Sequence, residues 1–271
     1  MPFNKYELYE ASVLDASEDV KLFQKFYRNQ FKKDPLIYRE DFCGTFAHST
    51  EWVKLRDKNK AYALDLALEP IEYGFKNHFS KLTKDQQSRL WVLKRDVLTG
   101  IREKADLITA MNFSYFCLKQ RESLKKYFQK VYYSLKPNGL FLIDVMGGSE
   151  MQMQSIEQRR IDWGKKKPKL IYFWEQKNFD PITHDANFSI HFKVGGTKKR
   201  IKDAFTYDWR LWTLPELREI MIEAGFKKAD VYWEGSHRNN NGDGNGIFTK
   251  KEHEQGCEVW IAYIAAVKSE K

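Results

Sequence analysis

Four short stretches carry side chains that could do chemistry, and each follows a run that reads as a β-strand. The first is Glu40-Asp-Phe-Cys-Gly-Thr45, with a short helix after it. Gly44 would let the main chain approach a ligand closely, and a helix start favours negative charge. The second stretch ends in Asp65-Leu66, 21 residues beyond Gly44. That is about the separation at which an acidic side chain meets a ribose diol. The third ends in Asp96-Val97, a carboxylate and an apolar residue suited to the edge and face of an adenine. The fourth ends in Met111-Asn-Phe-Ser-Tyr115, which would place polar and aromatic groups beside a reacting centre.

These stretches matter only if the chain brings them together. The first half alternates strand-like and helix-like segments. Leu36–Phe42, Ala61–Leu66, Leu90–Lys94, Ala105–Ala110 and Leu140–Val145 read as strands. Ala47–Leu55, Pro70–Ser80 and Arg121–Leu135 read as helices between them, the last with an apolar stripe ended by Lys136-Pro-Asn-Gly139. This alternation predicts an α/β fold with a parallel sheet and helices on both faces. In such a sheet, ligands bind outside the carboxyl ends of the strands, where all four stretches lie. Tyr6–Phe31 has helical spacing with a break around Ser12–Ser17. After Gly147-Gly148 the pattern changes. Leu170–Gln176, Asn187–Val194 and Lys202–Leu211 are aromatic and alternating, which predicts antiparallel strands. Thr213, Glu216 and Gly225 then frame a capped helix. Asp230–Trp233 and Glu258–Val267 read as the last two strands, around a Gly/Asn loop at Arg238–Gly246.

Composition excludes several classes. The chain has 271 residues, 42% hydrophobic and 15% aromatic, which supplies a core and excludes global disorder. No apolar run approaches the ~20 residues of a membrane span, and the N-terminus lacks a signal-peptide pattern. Cys43, Cys117 and Cys257 lie far apart, which suits a reducing compartment such as the cytoplasm. His184, His237 and His253 show no ligand spacing, so no metal site is expected. The net charge of +9 comes from scattered groups such as Lys165–Lys167, Lys198–Arg200 and Lys250–Lys251. A solvated surface is favoured over a nucleic-acid patch. The G-x-G-x-x-G of dinucleotide enzymes, the P-loop and the G-x-S-x-G elbow are all absent.

Residues 36–145 resemble the class I S-adenosylmethionine-dependent methyltransferases, through Arg39–Thr45, Ala63–Leu66, Arg95–Val97, Ala105–Ser114 and Leu135–Asp144, in the family's order and spacing. The resemblance implies a Rossmann-like, doubly wound, seven-stranded and mostly parallel sheet with an antiparallel last strand. An antiparallel β insert would stand before the last helix. It implies one domain: a helical cover over 1–35, a cofactor-binding core over 36–146, an insert or lid over 147–212 and a closing helix and hairpin over 213–271. It further implies S-adenosylmethionine as cofactor. Glu40, Phe42, Cys43, Gly44 and Thr45 would hold its methionine end, Asp65 and Leu66 its ribose, Asp96 and Val97 its adenine. Asn112 and Phe113 would line the methyl site. Phe42 and Phe46 depart from the family's glycines.

Methyl transfer from a sulfonium is an in-line displacement that asks the protein mainly to position and desolvate the acceptor. Candidates to meet a substrate are Tyr115, Asp144, His191, Tyr207 and Arg210, with Trp209 beside them. His191 would be a base, Arg210 a carboxylate clamp, and Tyr115, Tyr207 and Trp209 a cage for an amine. Tyr6 and Tyr9 would reach the cofactor from the N-terminal cover. Each of these also has an ordinary structural reading: core packing for the aromatics, a local ion pair for Arg210. The expected activity is methylation of N or O on a small molecule. RNA or protein methylation, or a non-catalytic binding module, are the alternatives; the Pro-Pro turn of amino-group methyltransferases of DNA and protein glutamine is missing after Asn112.

Overall fold

The computed structural model describes residues 3–196, 200–236 and 244–269. Lys198, Lys199, His237 and the loop at 238–243 fall outside them. Two helices open the chain, α1 (Lys5–Val13) and α2 (Ala16–Phe31), each started by a side-chain cap from Asn4 and Asp15. The α/β core follows as β1 (Ile37–Asp41), α3 (Ala47–Leu55), β2 (Lys60–Asp65), α4 (Leu68–Asn77), α5 (Lys84–Ser88), β3 (Leu90–Lys94), β4 (Ala105–Ala110), α6 (Arg121–Ser134) and β5 (Leu135–Gly147). Next come β6 (Ser155–Ile161), β7 (Leu170–Phe179), β8 (Asp185–Val194) and β9 (Ile201–Arg210). The chain closes with α7 (Leu214–Glu223), β10 (Lys228–Ser236), β11 (Gly244–Lys251) and β12 (Trp260–Val267).

The main sheet runs β11-β10-β12-β5-β4-β1-β2-β3. Strands β1 to β5 are parallel, and β12 is antiparallel to β5. Apolar side chains cover both faces. Leu124, Tyr127, Phe128 and Val131 of α6 and Leu217, Ile220 and Met221 of α7 pack on one. Val20, Phe23, Tyr27, Trp52, Val53 and Ile71 of α2, α3 and α4 pack on the other. The doubly wound sheet and the β10–β12 pair therefore follow the sequence pattern. Among the described residues the sheet has eight strands rather than seven. β11 adds to the outer edge, and it includes Gly244–Gly246, residues whose glycines read as loop. Lys136–Gly139 ends α6 but lies within the first part of β5, with Asn138 at φ 58 making the irregular step.

The insert forms a separate antiparallel sheet, β6-β7-β8-β9. β6 escaped the sequence reading because it is a polar, mostly exposed edge with no apolar alternation. The faces of β8 divide as its alternation predicts. Phe188, Ile190, Phe192 and Val194 are buried in apolar clusters, while His191 turns to the other side. Phe188 and Trp209 belong to the same core as Phe116, Met151 and the main sheet, so the insert is welded to the strand ends.

Candidate functional site

Strand order reverses between β1 and β4, because β1 connects outward to β2 while β3 crosses back to β4. The carboxyl ends of β3, β2, β1, β4 and β5 thus place Asp96, Asp65, Gly44, Asn112 and Asp144 in one row. This row spans the switch point where such sheets bind ligands.

The turn after β1 is built around its backbone. Phe42, Gly44 and Phe46 all have left-handed φ, at 55, 52 and 49 degrees. Glycine is the usual solution there, and two aromatic residues adopt the geometry instead. Neither ring fills the space beside Gly44. Phe46 is fully buried and lies on Gly74 of α4, with Phe75 and His78 around it. Phe42 packs on Tyr127 with centroids 5.5 Å apart. A Cβ added to Gly44 would meet nothing within 4 Å, so a ligand can approach this main chain.

Asp65 stands over the opening. Its two carboxylate oxygens accept from Gly44 N at 2.7 Å and Ala67 N at 2.8 Å. One lone-pair direction remains on each oxygen, which suits a pair of hydroxyls. Leu66 beside it is 61% exposed, a free apolar surface at the strand end. Asp96 accepts from Leu98 N at 2.8 Å. Desolvation and then the charges of Asp65 and Asp96 push the Cys117 thiol up to about 11. Val97 sits in the core, so Leu66 and the half-buried Leu98 are the apolar side chains open here. These residues fit an adenosine with an attached amino-acid chain.

The expectation for Glu40 is corrected. Its carboxylate turns onto α3, accepting from Ser49 N at 2.8 Å, Ser49 Oγ at 2.6 Å and His48 Nδ1 at 3.1 Å. Phe46, the N-cap of α3, has no side-chain acceptor to offer, and Glu40 supplies it. His48 Nε2 reaches Asp19 of α2 at 3.0 Å. Burial opposes charge on this imidazole, but the hydrogen bonds to Asp19 and Glu40 outweigh it and hold the pKa at about 10. An Asp19–His48–Glu40 chain therefore locks α2 and α3 under the turn. The sequence reading missed it, since no local spacing links residues 19, 40 and 48.

Helix α1 lies across the same turn. Glu10 accepts from Thr45 Oγ1 at 2.5 Å and bonds His78 Nε2 at 2.7 Å, and Lys5 pairs with Glu69 at 2.8 Å. Cys43 is buried beneath, with its thiol pushed up by burial and by Glu40 and Asp65. The other side of α1 meets the insert, where Tyr6 and Tyr9 pack on Phe205. A cavity of about 1230 Å³ opens between α1, α2, the ends of β4 and β5 and the insert. Asn112, Phe113 and Asp144 line it from the main sheet, and Tyr9, Tyr172, Trp174, Tyr207 and Trp209 from the other walls.

Three substrate candidates are corrected. Tyr115 is fully buried, and its hydroxyl donates to the main-chain oxygen of Asp144 at 2.8 Å. His191 lies on the far face of β8. Its Nδ1 accepts from Asp203 N at 2.7 Å, so Nε2 carries the proton that bonds Glu175 at 3.0 Å. No lone pair is left on that ring for a base or for a metal shared with Glu175 and Asp203. Arg210 donates to Glu216 at 3.0 Å and to Lys119 O at 3.2 Å, and stacks 3.7 Å over Trp212. It ties β9 to α7 and does not line the cavity.

No family model matches the sequence, and no curated protein matches it. Solved structures do match along the whole chain. Streptomyces venezuelae DesVI aligns with a TM-score of 0.72 at 14% identity, covering 98% of this chain and 99% of that one. CalS10, an amino pentose methyltransferase from Micromonospora echinaspora solved with S-adenosylmethionine bound, aligns at 0.70 and 13%, covering 98% of each chain. An S-adenosylmethionine-dependent methyltransferase from Clostridium acetobutylicum aligns at 0.64 and 18%, covering 98% of each. The fold is that of the S-adenosylmethionine-dependent methyltransferases. In this methyltransferase fold the β insert is not an appendage peculiar to the chain, since the alignments run through it. Among the described residues no helix is long and apolar enough to cross a membrane.

Proposed function

We propose that the protein transfers a methyl group from S-adenosylmethionine to a nitrogen or oxygen of a small molecule. The carrying observation is the juxtaposition of the open Gly44–Asp65–Asp96 row with an aromatic-walled cavity at the ends of β4 and β5. The fold likeness to CalS10, which is solved with that cofactor and acts on an amino pentose, supports the same reading. Asp65 would take the ribose hydroxyls, the main chain around Gly44 the amino-acid chain, and Asp96 the adenine. Bound there, the cofactor supplies an activated methyl. The chain's own residues do the rest: Asn112 and Phe113 set the floor between the two halves, and the insert excludes water from the acceptor.

The cavity's charge argues against an RNA acceptor. Asp15, Asp19, Asp144, Glu157, Glu234 and Glu254 line it, against His48, Arg159 and Lys251. A polyanion is repelled from that lining, although the chain as a whole carries +9. Several exposed lysines are paired instead, Lys167 with Glu7 and Lys250 with Asp230.

Titration calorimetry with S-adenosylmethionine and S-adenosylhomocysteine tests the reading. Both are expected to bind, and Asp65→Ala is expected to weaken binding by about 1–3 kcal/mol, roughly 5- to 150-fold in Kd. The variant strips a charged acceptor from two hydroxyls. No binding by the wild type would overturn the proposal; an unchanged affinity in the variant would reject the role of Asp65.

A further inference from the structure

Resting on that reading, we propose that the acceptor is an amine arriving as its ammonium ion, and that the Asp144 carboxylate is the catalytic residue that binds this cation and takes its proton. Asp144 is near the end of β5, 8% exposed, and in the cavity wall. Its oxygens accept from Asn112 N at 2.8 Å and Phe113 N at 3.0 Å. Both residues have φ of 56 degrees, a left-handed pair that turns these N–H groups back onto the acid and fixes its plane. One direction on each oxygen remains free.

Among the described residues no cationic side chain hydrogen-bonds or ion-pairs with this acid. Among the described residues, Tyr9 from α1, Asp19 from α2 and Tyr263 from β12 interact electrostatically with it, and the Tyr115 hydroxyl bonds its main-chain oxygen. None of these is a cation, and the cations that line the same cavity are engaged elsewhere: His48 between Asp19 and Glu40, Arg159 over the Tyr172 ring and Lys251 with Glu254. Burial pushes the Asp144 carboxyl up to about 7 although two N–H groups pull it down. A ligand cation would complete this site. The adjoining walls suit one. Tyr207 and Trp209 lie 4.3 Å apart, Trp174 is 5.9 and 6.2 Å from them, and Phe113, whose N–H holds Asp144, is 6.3 Å from Trp209. Aromatic rings and a carboxylate that line one cavity are the groups that hold an ammonium ion.

The chemistry balances. The ammonium gives one proton to Asp144, leaving a neutral amine with a free electron pair. That pair forms the new N–C bond as the C–S bond breaks, and the bonding electrons go to sulfur, which becomes neutral. The product leaves as a methylammonium ion, and Asp144 returns its proton to water. With a pKa near neutrality, Asp144 is matched to this task at ordinary pH.

The test uses the protein loaded with S-adenosylhomocysteine and three probe pairs: benzylamine with benzyl alcohol, cyclohexylamine with cyclohexanol, glucosamine with glucose. Calorimetry is expected to show at least one amine binding tenfold or more tighter than its alcohol. Methyl-labelled S-adenosylmethionine is expected to label amines and not alcohols. Asp144→Asn is expected to abolish the preference and lower kcat/KM about 100-fold, with affinity for S-adenosylhomocysteine unchanged. Should that variant not fold, the wild type still answers. Amine affinity is expected to fall as pH drops through about 7, where Asp144 becomes protonated, while alcohol affinity stays flat. Equal binding of amine and alcohol, binding of neither, or label on an alcohol would overturn the role of Asp144. The methyltransferase reading would survive those results, and would fail only if S-adenosylhomocysteine itself did not bind.

Discussion

Replacing His48 with Ala is expected to destabilise the protein by about 3–5 kcal/mol, the cost of breaking a buried charge cluster by removing one partner. His48 is 4% exposed and bridges Glu40 at 3.1 Å and Asp19 at 3.0 Å. Without it the carboxylates of Asp19 and Glu40, from different elements, lose the cation that bridges them. The effect depends on pH in a definite direction. The folded imidazole has a pKa of about 10, above the 6.5 of a free one. Its contribution is therefore complete below about pH 6.5 and is lost as pH rises through 10. Urea unfolding at pH 6.5 and pH 10.5 checks this. The gap between wild type and variant should be wide at the lower pH and narrow at the higher. A loss under 1 kcal/mol, or a gap independent of pH, would mean that the three groups do not form one cluster.

The second large effect runs against the family pattern. Phe46→Gly restores the residue usual at that position, yet it is expected to destabilise by about 2–4 kcal/mol. Glycine would relieve a left-handed backbone at φ 49, worth about 1–2 kcal/mol. It would also empty a fully buried ring site, at about 3–5 kcal/mol, and add chain entropy to the unfolded state, at about 0.5–1. The ring has a reciprocal partner. Any Cβ on Gly74 would come within 3.0 Å of it and of the Thr45 main-chain oxygen, so the glycine absent from the turn has a counterpart in α4. Thermal unfolding of the purified variant measures the balance, and a stabilised Phe46→Gly would show that the packing is worth less than the strain.

How much of this was legible beforehand follows the range of the forces involved. Alternation and helical spacing are local, so β1 to β5, α3, α6 and the capped α7 could be read along the chain, and with them the row of strand-end residues. Asp65 and Gly44 were legible because a strand–turn–helix unit fixes their separation, and they meet at 2.7 Å. β6 and β11 were not, because an exposed edge strand needs no apolar alternation and β11 begins in glycines.

Side-chain roles divided differently. The residue types at 191 and 210 suggested chemistry, but His191 spends both nitrogens on Glu175 and the backbone of Asp203, and Arg210 is spent on Glu216. The doubly wound core and the candidate cofactor row could be read along the chain, since both rest on periodicity and on spacing within a few turns. It took the packed chain to show that Glu40 serves α3, that His48 is held protonated, that Phe42 and Phe46 leave Gly44 open, and that Asp144 lines an aromatic-walled cavity with no ion pair among the described residues. Each of those depends on which distant groups come together in space, and charge and hydrogen bonding there are set by neighbours the chain order does not reveal.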